Sequence, residues 1–236
     1  MTVIRRHNPV LKQRLLHLLQ AGDVEGVRQY LTTLSCTDFR TATWLLGDEL
    51  CVQAELRTDA FWPLFVALTS FNAKAFLGTM LKAAVRLYNK EYVAFDAAAL
   101  RPFAAKATSI DATKTLQAFL PTLRTADEVQ SLLSLFPVMP QQQVVLLTQH
   151  LTPATCFVLF LALRQWEHDT ALLRQTTFTL LRSPHKLAYN MASIIVHYFG
   201  LKDIPAAFSL TLQPYELSRL EVSEELFQKM LMRFTR

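Results

Sequence analysis

PATCFVLFLALRQW, residues 153–166, is the stretch whose reading decides the fold. Its centre, residues 156–163, carries no polar side chain, and a helix that is apolar on every face has to be covered on every face. Thr152-Pro153 stands at its start, and Arg164, Glu167 and Asp169 follow closely at its end. Spanning a bilayer takes about 20 mostly apolar residues. The run is therefore read as the central strut of a helical core in the C-terminal half, with the flanking segments as its covering.

Those segments read as helices too. The chain has only 5 glycines and no Asn-Gly or Asp-Gly hairpin signal, which leaves little material for a sheet. Asp, Asn, Ser, Thr and Pro recur between apolar-periodic runs, where N-caps and first-turn residues belong. A first helix runs from the Asn8-Pro9 cap to Gly22, with Leu11, Leu15, Leu18 and Leu19 on one face. A second starts at Asp23 and carries Val24, Val27, Tyr30, Leu31 and Leu34, completing an αα-hairpin. Helices are then predicted over residues 38–55, 59–71, 72–89, 96–107, 111–120, 125–136, 141–150, 153–166, 169–182, 184–199, 203–212 and 223–234. Pro102 implies a kink or two short pieces in 96–107, and Gly200 reads as a left-handed stop. Ser223 is a candidate N-cap, with Glu224 and Glu225 in the favourable first turn; Leu226 at the third position rules out a full capping box. The expectation is an all-α chain of about 12–14 helices. It is read as a single domain, residues 1–236, with a soft subdivision near 108–124.

Sliding the chain against itself aligns Leu123, Ala126, Val129, Leu132, Leu133 and Leu135 with Leu151, Ala154, Phe157, Phe160, Leu161 and Leu163, an offset of 28 residues. A weaker echo starts at Pro184, with Leu187, Met191, Ile194 and Ile195. A period of about 20–50 residues built from helix pairs marks an α-solenoid or helical repeat, a stack of antiparallel helical hairpins. Shared helical periodicity alone also aligns two amphipathic helices, and the sequence leaves both explanations open. Leu19-Gln-Ala-Gly-Asp-Val-Glu-Gly-Val-Arg28 resembles the helix-turn-helix step of an ankyrin repeat. The resemblance covers only that hairpin. The family's Thr-Pro-Leu-His opening is absent, so it implies a helical hairpin and no function.

The 236 residues are 51% hydrophobic and only 18% charged, against about 25% charged in typical domains. Either the core is generous or apolar surface is kept for a partner. Neither a transmembrane segment nor a signal peptide is expected, because Lys12 and Arg14 interrupt the N-terminal run where an apolar h-region would lie. Three cysteines, Cys36, Cys51 and Cys156, share no metal-ligand spacing and read as reduced thiols of a cytoplasmic protein, with Cys156 as core filler. Cys36 is placed in a loop before Asp38. The net charge is +5, and 14 Lys/Arg against 10 Asp/Glu fall before residue 119, so the mild basicity lies in the N-terminal half.

No residue names a chemistry. His7, His17, His150, His168, His185 and His197 never pair at i,i+3 or i,i+4, and Glu167-His168-Asp169 reads as a helix cap and loop. No catalytic, cofactor-binding or metal-ligating residue is assigned. Arg86, Tyr88, Lys90 and Tyr92 interleave cations with aromatics, a pattern that could follow a phosphate backbone with bases stacked on the tyrosines. Cations at a helix C-terminus and half-buried tyrosines give the same pattern without a ligand. With Arg5, Arg6, Lys12 and Arg14 they form the nucleic-acid-binding candidate. Phe61, Trp62, Phe65 and Phe71 suit a core better than an aromatic groove. The function expected is a non-enzymatic protein-interaction scaffold for a protein partner, with a nucleic-acid binder as the alternative and an enzyme lacking a recognisable motif as the third reading.

Overall fold

Side-chain caps start the helices where short polar residues were read as punctuation. The computed structural model describes residues 8–50, 58–204, 214–220 and 222–232, and every regular element among them is helical. The order is α1 (Pro9–Gln20), α2 (Val24–Thr32), α3 (Cys36–Trp44), a π-helical stretch (Leu45–Leu50), a 3-10 turn (Thr58–Ala60), α4 (Phe61–Asn89), α5 (Ala97–Ala104) and α6 (Ser109–Phe119). Then come α7 (Ala126–Leu135), α8 (Pro140–Gln149), α9 (Pro153–Gln165), α10 (Thr170–Arg182), α11 (Lys186–Tyr198), α12 (Pro214–Leu220) and α13 (Glu224–Met232). The protein is all-α, with thirteen α-helices among the described residues.

Asn8, Asp23, Asp96, Thr125, Thr152, Asp169 and Ser223 each accept a backbone amide three residues on. Two starts differ from the sequence reading for one reason. Asp38 and Asp111 are not caps but stand three residues inside the caps Ser35 and Thr108, and of the two only Asp111 completes a capping box by accepting the cap's own amide. Ser35 Oγ accepts from Asp38 N at 3.2 Å while donating to its carboxylate at 2.8 Å, and Thr108 and Asp111 exchange the equivalent bonds. Cys36 is thereby the first residue of α3 rather than a loop residue. The predicted 38–55 helix changes character at Leu45, where the turn widens into the π-helical stretch. There Gly47 is required, because a Cβ on it would stand 2.3 Å from Thr79 Cβ of α4.

Pro102 does not divide its segment in two; α5 is one short helix that the chain leaves at Ala105, as a residue that deletes an amide and crowds the preceding turn demands. Of the predicted 203–212 helix, Asp203 and Ile204 lie in a turn and residues 205–213 fall outside the described residues. α12, not anticipated from the sequence, begins on Pro214. Left-handed residues end three helices: Gly22, Gly200 and, without glycine's freedom, Glu91 at φ +62°. After each, an amide reaches five residues back, as Tyr92 N does to Leu87 O at 3.0 Å.

The chain divides into two compact units between Phe119 and Leu120, within residues 108–124. In the first, α4 is central and packs against α2, α3, α5, α6 and the π-helical stretch. It is two helical segments merged at Asn72, whose φ/ψ of −156°/85° breaks the spiral and whose Oδ1 restarts it by accepting Ala75 N at 3.1 Å. Phe61, Trp62 and Phe65 are core, not groove: their rings meet edge-on or tilted, Phe65 meets Phe103 edge-on at 5.5 Å, and Trp62 Nε1 donates to Ala94 O, while Phe71, read with them, is exposed instead. By length and composition alone α4 could cross a membrane; in the fold fourteen of its residues are buried at the centre of the unit.

In the second unit α9 is covered by α7, α8, α11 and α13, as its all-apolar centre requires. Residues 154–160 and Leu163 are buried. α13 ties three of these helices together. Glu224 Oε1 at its start accepts Ala126 N, the first amide of α7, at 3.1 Å. Phe227 in its middle stands 5.2 Å from both Phe157 and Phe160. Near its end Leu231 O accepts Asn190 Nδ2 of α11 at 2.7 Å. The N-caps Thr125, Thr152 and His185 are 27 and 33 residues apart, so the 28-residue echo is not carried on as a constant period.

Candidate docking cleft

The second segment of α4 carries cations and no carboxylate. Lys74, Gly78, Lys82, Arg86 and Lys90 follow one another at four-residue steps, the spacing that places neighbours along one ridge of a helix. α6 runs beside it and presents Lys114, Gln117 and Ala118. Between the two helices lies a cleft of about 440 Å³ lined by Gly78, Leu81, Lys82, Val85 and Arg86 from α4 and by Lys114, Gln117 and Ala118 from α6. Leu81, Val85 and Ala118 make an apolar floor, and the three cations stand exposed on its rim.

Among the described residues, no Asp or Glu lines the cleft. The carboxylate nearest in sequence to Lys114 is Asp111, and it is committed to the amide and hydroxyl of Thr108 at the start of α6. Neither Lys82 nor Lys114 pairs with a carboxylate among the described residues. Concentrated positive charge over an apolar floor attracts an anionic ligand that also has apolar surface to bury.

The residues singled out in the sequence are only partly brought here. Arg86 lines the cleft. Lys90 lies at the end of α4, its ammonium 5.8 Å from the centre of the Tyr92 ring, and Tyr92 is 43% exposed. Tyr88 corrects the stacking expectation: it is 5% exposed, turned into the core at the helical position that also buries Leu81, Ala84 and Leu87, and has no face to offer a base. Lys12 and Arg14 lie on α1 and do not line the cleft. Arg5 and Arg6 fall outside the described residues. Lys82 and Lys114 were missed. Lys82 was legible, standing four residues before Arg86 as Lys90 stands four after it; Lys114 enters only through the packing of α6 on α4.

Elsewhere the chemistry-bearing side chains stay apart. Among the described residues no three of His, Cys, Asp and Glu converge as metal ligands. His168 is almost wholly exposed beside Glu167, while Asp169 caps α10 through Leu172 N at 2.9 Å. Cys36 is exposed; Cys156 is buried in α9, and that burial pushes its thiol far above the ordinary range. A second groove, of about 360 Å³, lies between α8 and α10 and is lined by Val144, Val145, Gln175 and Thr176 with no charged residue. Its threonines Thr148 and Thr179 donate to their own helices, at Val145 O and Gln175 O. Compared with protein-family models, curated proteins and solved structures, the chain matches none of them.

Proposed function

We propose that this protein is a non-enzymatic interaction scaffold, a stack of antiparallel helical hairpins that holds a partner protein on an outer face. The observation that carries the reading is the α4/α6 cleft, an apolar floor under three cations with, among the described residues, no acid, thiol or imidazole in its lining. Helix pairing supports the stacked arrangement: α1 packs on α2, α8 on α9 and α10 on α11, with α7 also against α9 and α8 against α10, the alternation that hairpin repeats use. Use in a reducing compartment such as the cytoplasm is part of the proposal, supported by an odd number of cysteines. A photo-cross-linking residue at Val85 tests it. One dominant protein adduct in stoichiometric yield is expected, with none from the same residue at the exposed Val10 of α1, outside the cleft lining; adducts equally frequent from both positions would overturn it.

The alternative, a nucleic-acid binder, is favoured by one observation, the Lys82–Arg86–Lys90 row. Three phosphate contacts on a single strand predict a slope of about −2 for log affinity against log salt. A slope near zero removes that reading. An enzyme without a recognisable motif is the third reading, and no group in the cleft supports it.

A further inference from the structure

We infer that the α4/α6 cleft is the seat of an acidic amphipathic α-helix from the partner protein, laid with its backbone close against Gly78. The inference deepens the scaffold reading and rests on it.

The glycines point to it first. All five are described, and four have a reason inside the chain. Gly22 and Gly200 adopt positive φ. A Cβ on Gly47 would strike Thr79, and one on Gly26 would lie 2.2 Å from the Asp23 carboxylate. Gly78 is different. It sits inside α4, where glycine weakens a helix relative to alanine, and a Cβ there would meet nothing within 4 Å. Nothing among the described residues requires its missing side chain. It lies at the end of the cleft floor, where a glycine lets a second backbone approach closely.

Charge and size define what approaches. Lys82 and Arg86 stand on the α4 rim and Lys114 on the α6 rim, so the occupant needs carboxylates on both flanks and an apolar ridge between them facing Leu81, Val85 and Ala118. Residues 78–86 extend about 12 Å along α4, the length of two turns of a helix. Ridges packed into the groove between two existing helices satisfy that shape, with the rim cations fixing orientation and speeding encounter. A nucleic acid fits less well, because no aromatic ring lines the cleft for bases to stack on.

The test uses the full chain and a set of fluorescent 18-residue helical peptides with one fixed apolar stripe and net charges from negative to positive. Affinity is expected to rise with negative charge, and the Lys82→Glu/Lys114→Glu double variant to reverse the preference toward basic peptides. Gly78→Leu, whose Cβ meets nothing within 4 Å and whose longer side chain fills the approach, should weaken the acidic peptide by at least about tenfold. Gly78→Ala should weaken it less while raising the protein's own melting point by about 2 °C, since alanine favours the free helix. Affinity independent of peptide charge, or unchanged by Gly78→Leu, overturns the inference. A single-stranded 12-mer oligonucleotide that binds better than any peptide and responds to the same variants also overturns it and transfers the cleft to nucleic acid. If the Val85 adduct persists unchanged in Gly78→Leu, the scaffold reading survives and this one falls; with adducts equally frequent from Val85 and Val10, both fall.

Discussion

Phe227→Ala should undo the second unit's core from one position in its last helix. The ring is wholly buried, and its nearest aromatic neighbours are Phe157 and Phe160, two turns of the covered helix α9. A buried aromatic side chain removes about 150–250 Å² from water, which at about 25 cal/mol per Å² is about 4–6 kcal/mol; the part above Cβ brings this to about 3–5 kcal/mol. The higher end is expected because the cavity walls are rings held on a helix packed from four sides, which cannot collapse inward. Each kcal/mol corresponds to about 3 °C in a unit of this size, so a fall of about 15 °C is expected in the transition of that unit. The measurement is urea and thermal unfolding by far-ultraviolet circular dichroism, with hydrogen exchange resolved by peptide. Amides of α7, α9 and α11 should exchange faster together, because α13 touches all three. Phe178→Ala, at a ring 45% exposed, is the control and should cost no more than about 0.5 kcal/mol. A loss below about 1 kcal/mol, or faster exchange confined to α13, would refute the argument that α13 completes the core.

Other perturbations follow from the same structure. Asn190→Ala removes the donor to Leu231 O in a buried setting and should cost about 1–3 kcal/mol, read as a lower urea midpoint. Glu91→Gly relieves a left-handed backbone that glycine adopts freely and should stabilise by about 1 kcal/mol; no gain would mean that the contacts of the Glu91 side chain outweigh the strain. A thiol reagent should leave Cys156 untouched in the native protein, so Cys156→Ser should change the count of reactive thiols only in denaturant. Burial of His150 holds its imidazole below the usual pKa, so the unfolded chain takes up its proton first. Stability should be level above about pH 6.5 and fall as pH drops from there toward the folded value, and His150→Gln should flatten that part of the profile.

Helix existence was legible because it is written locally. Caps such as Asn8, Asp23, Thr152 and Asp169 and the apolar run at 156–163 need no distant partner to be recognised. The misreadings at Asp38 and Asp111 came from the same local code, in which an acid can be the cap or the residue three places inside it, and only the Ser or Thr upstream decides. The candidate site was half legible. Arg86 was found through its spacing, but the row was cut short at Lys82, and stacking on Tyr88 stayed open beside a half-buried ring because alternation of cation and aromatic does not say which residue faces inward.

By itself, the sequence determined that the described residues are all helical in their regular elements, roughly where most helices start, and that α9 must be largely buried, since capping and apolar periodicity depend on residues within a few positions of one another. Tertiary structure alone decided what buries it. Glu224 reaching the first amide of α7, Phe227 between two rings of α9 and Asn190 meeting the end of α13 are contacts between residues far apart in the chain, and no local pattern encodes them. The cleft belongs to the same class. Lys114 joins Lys82 and Arg86, and Gly78 becomes the open end of a floor, only because α6 packs along α4, and that packing is chosen by the fit of whole faces rather than by any motif.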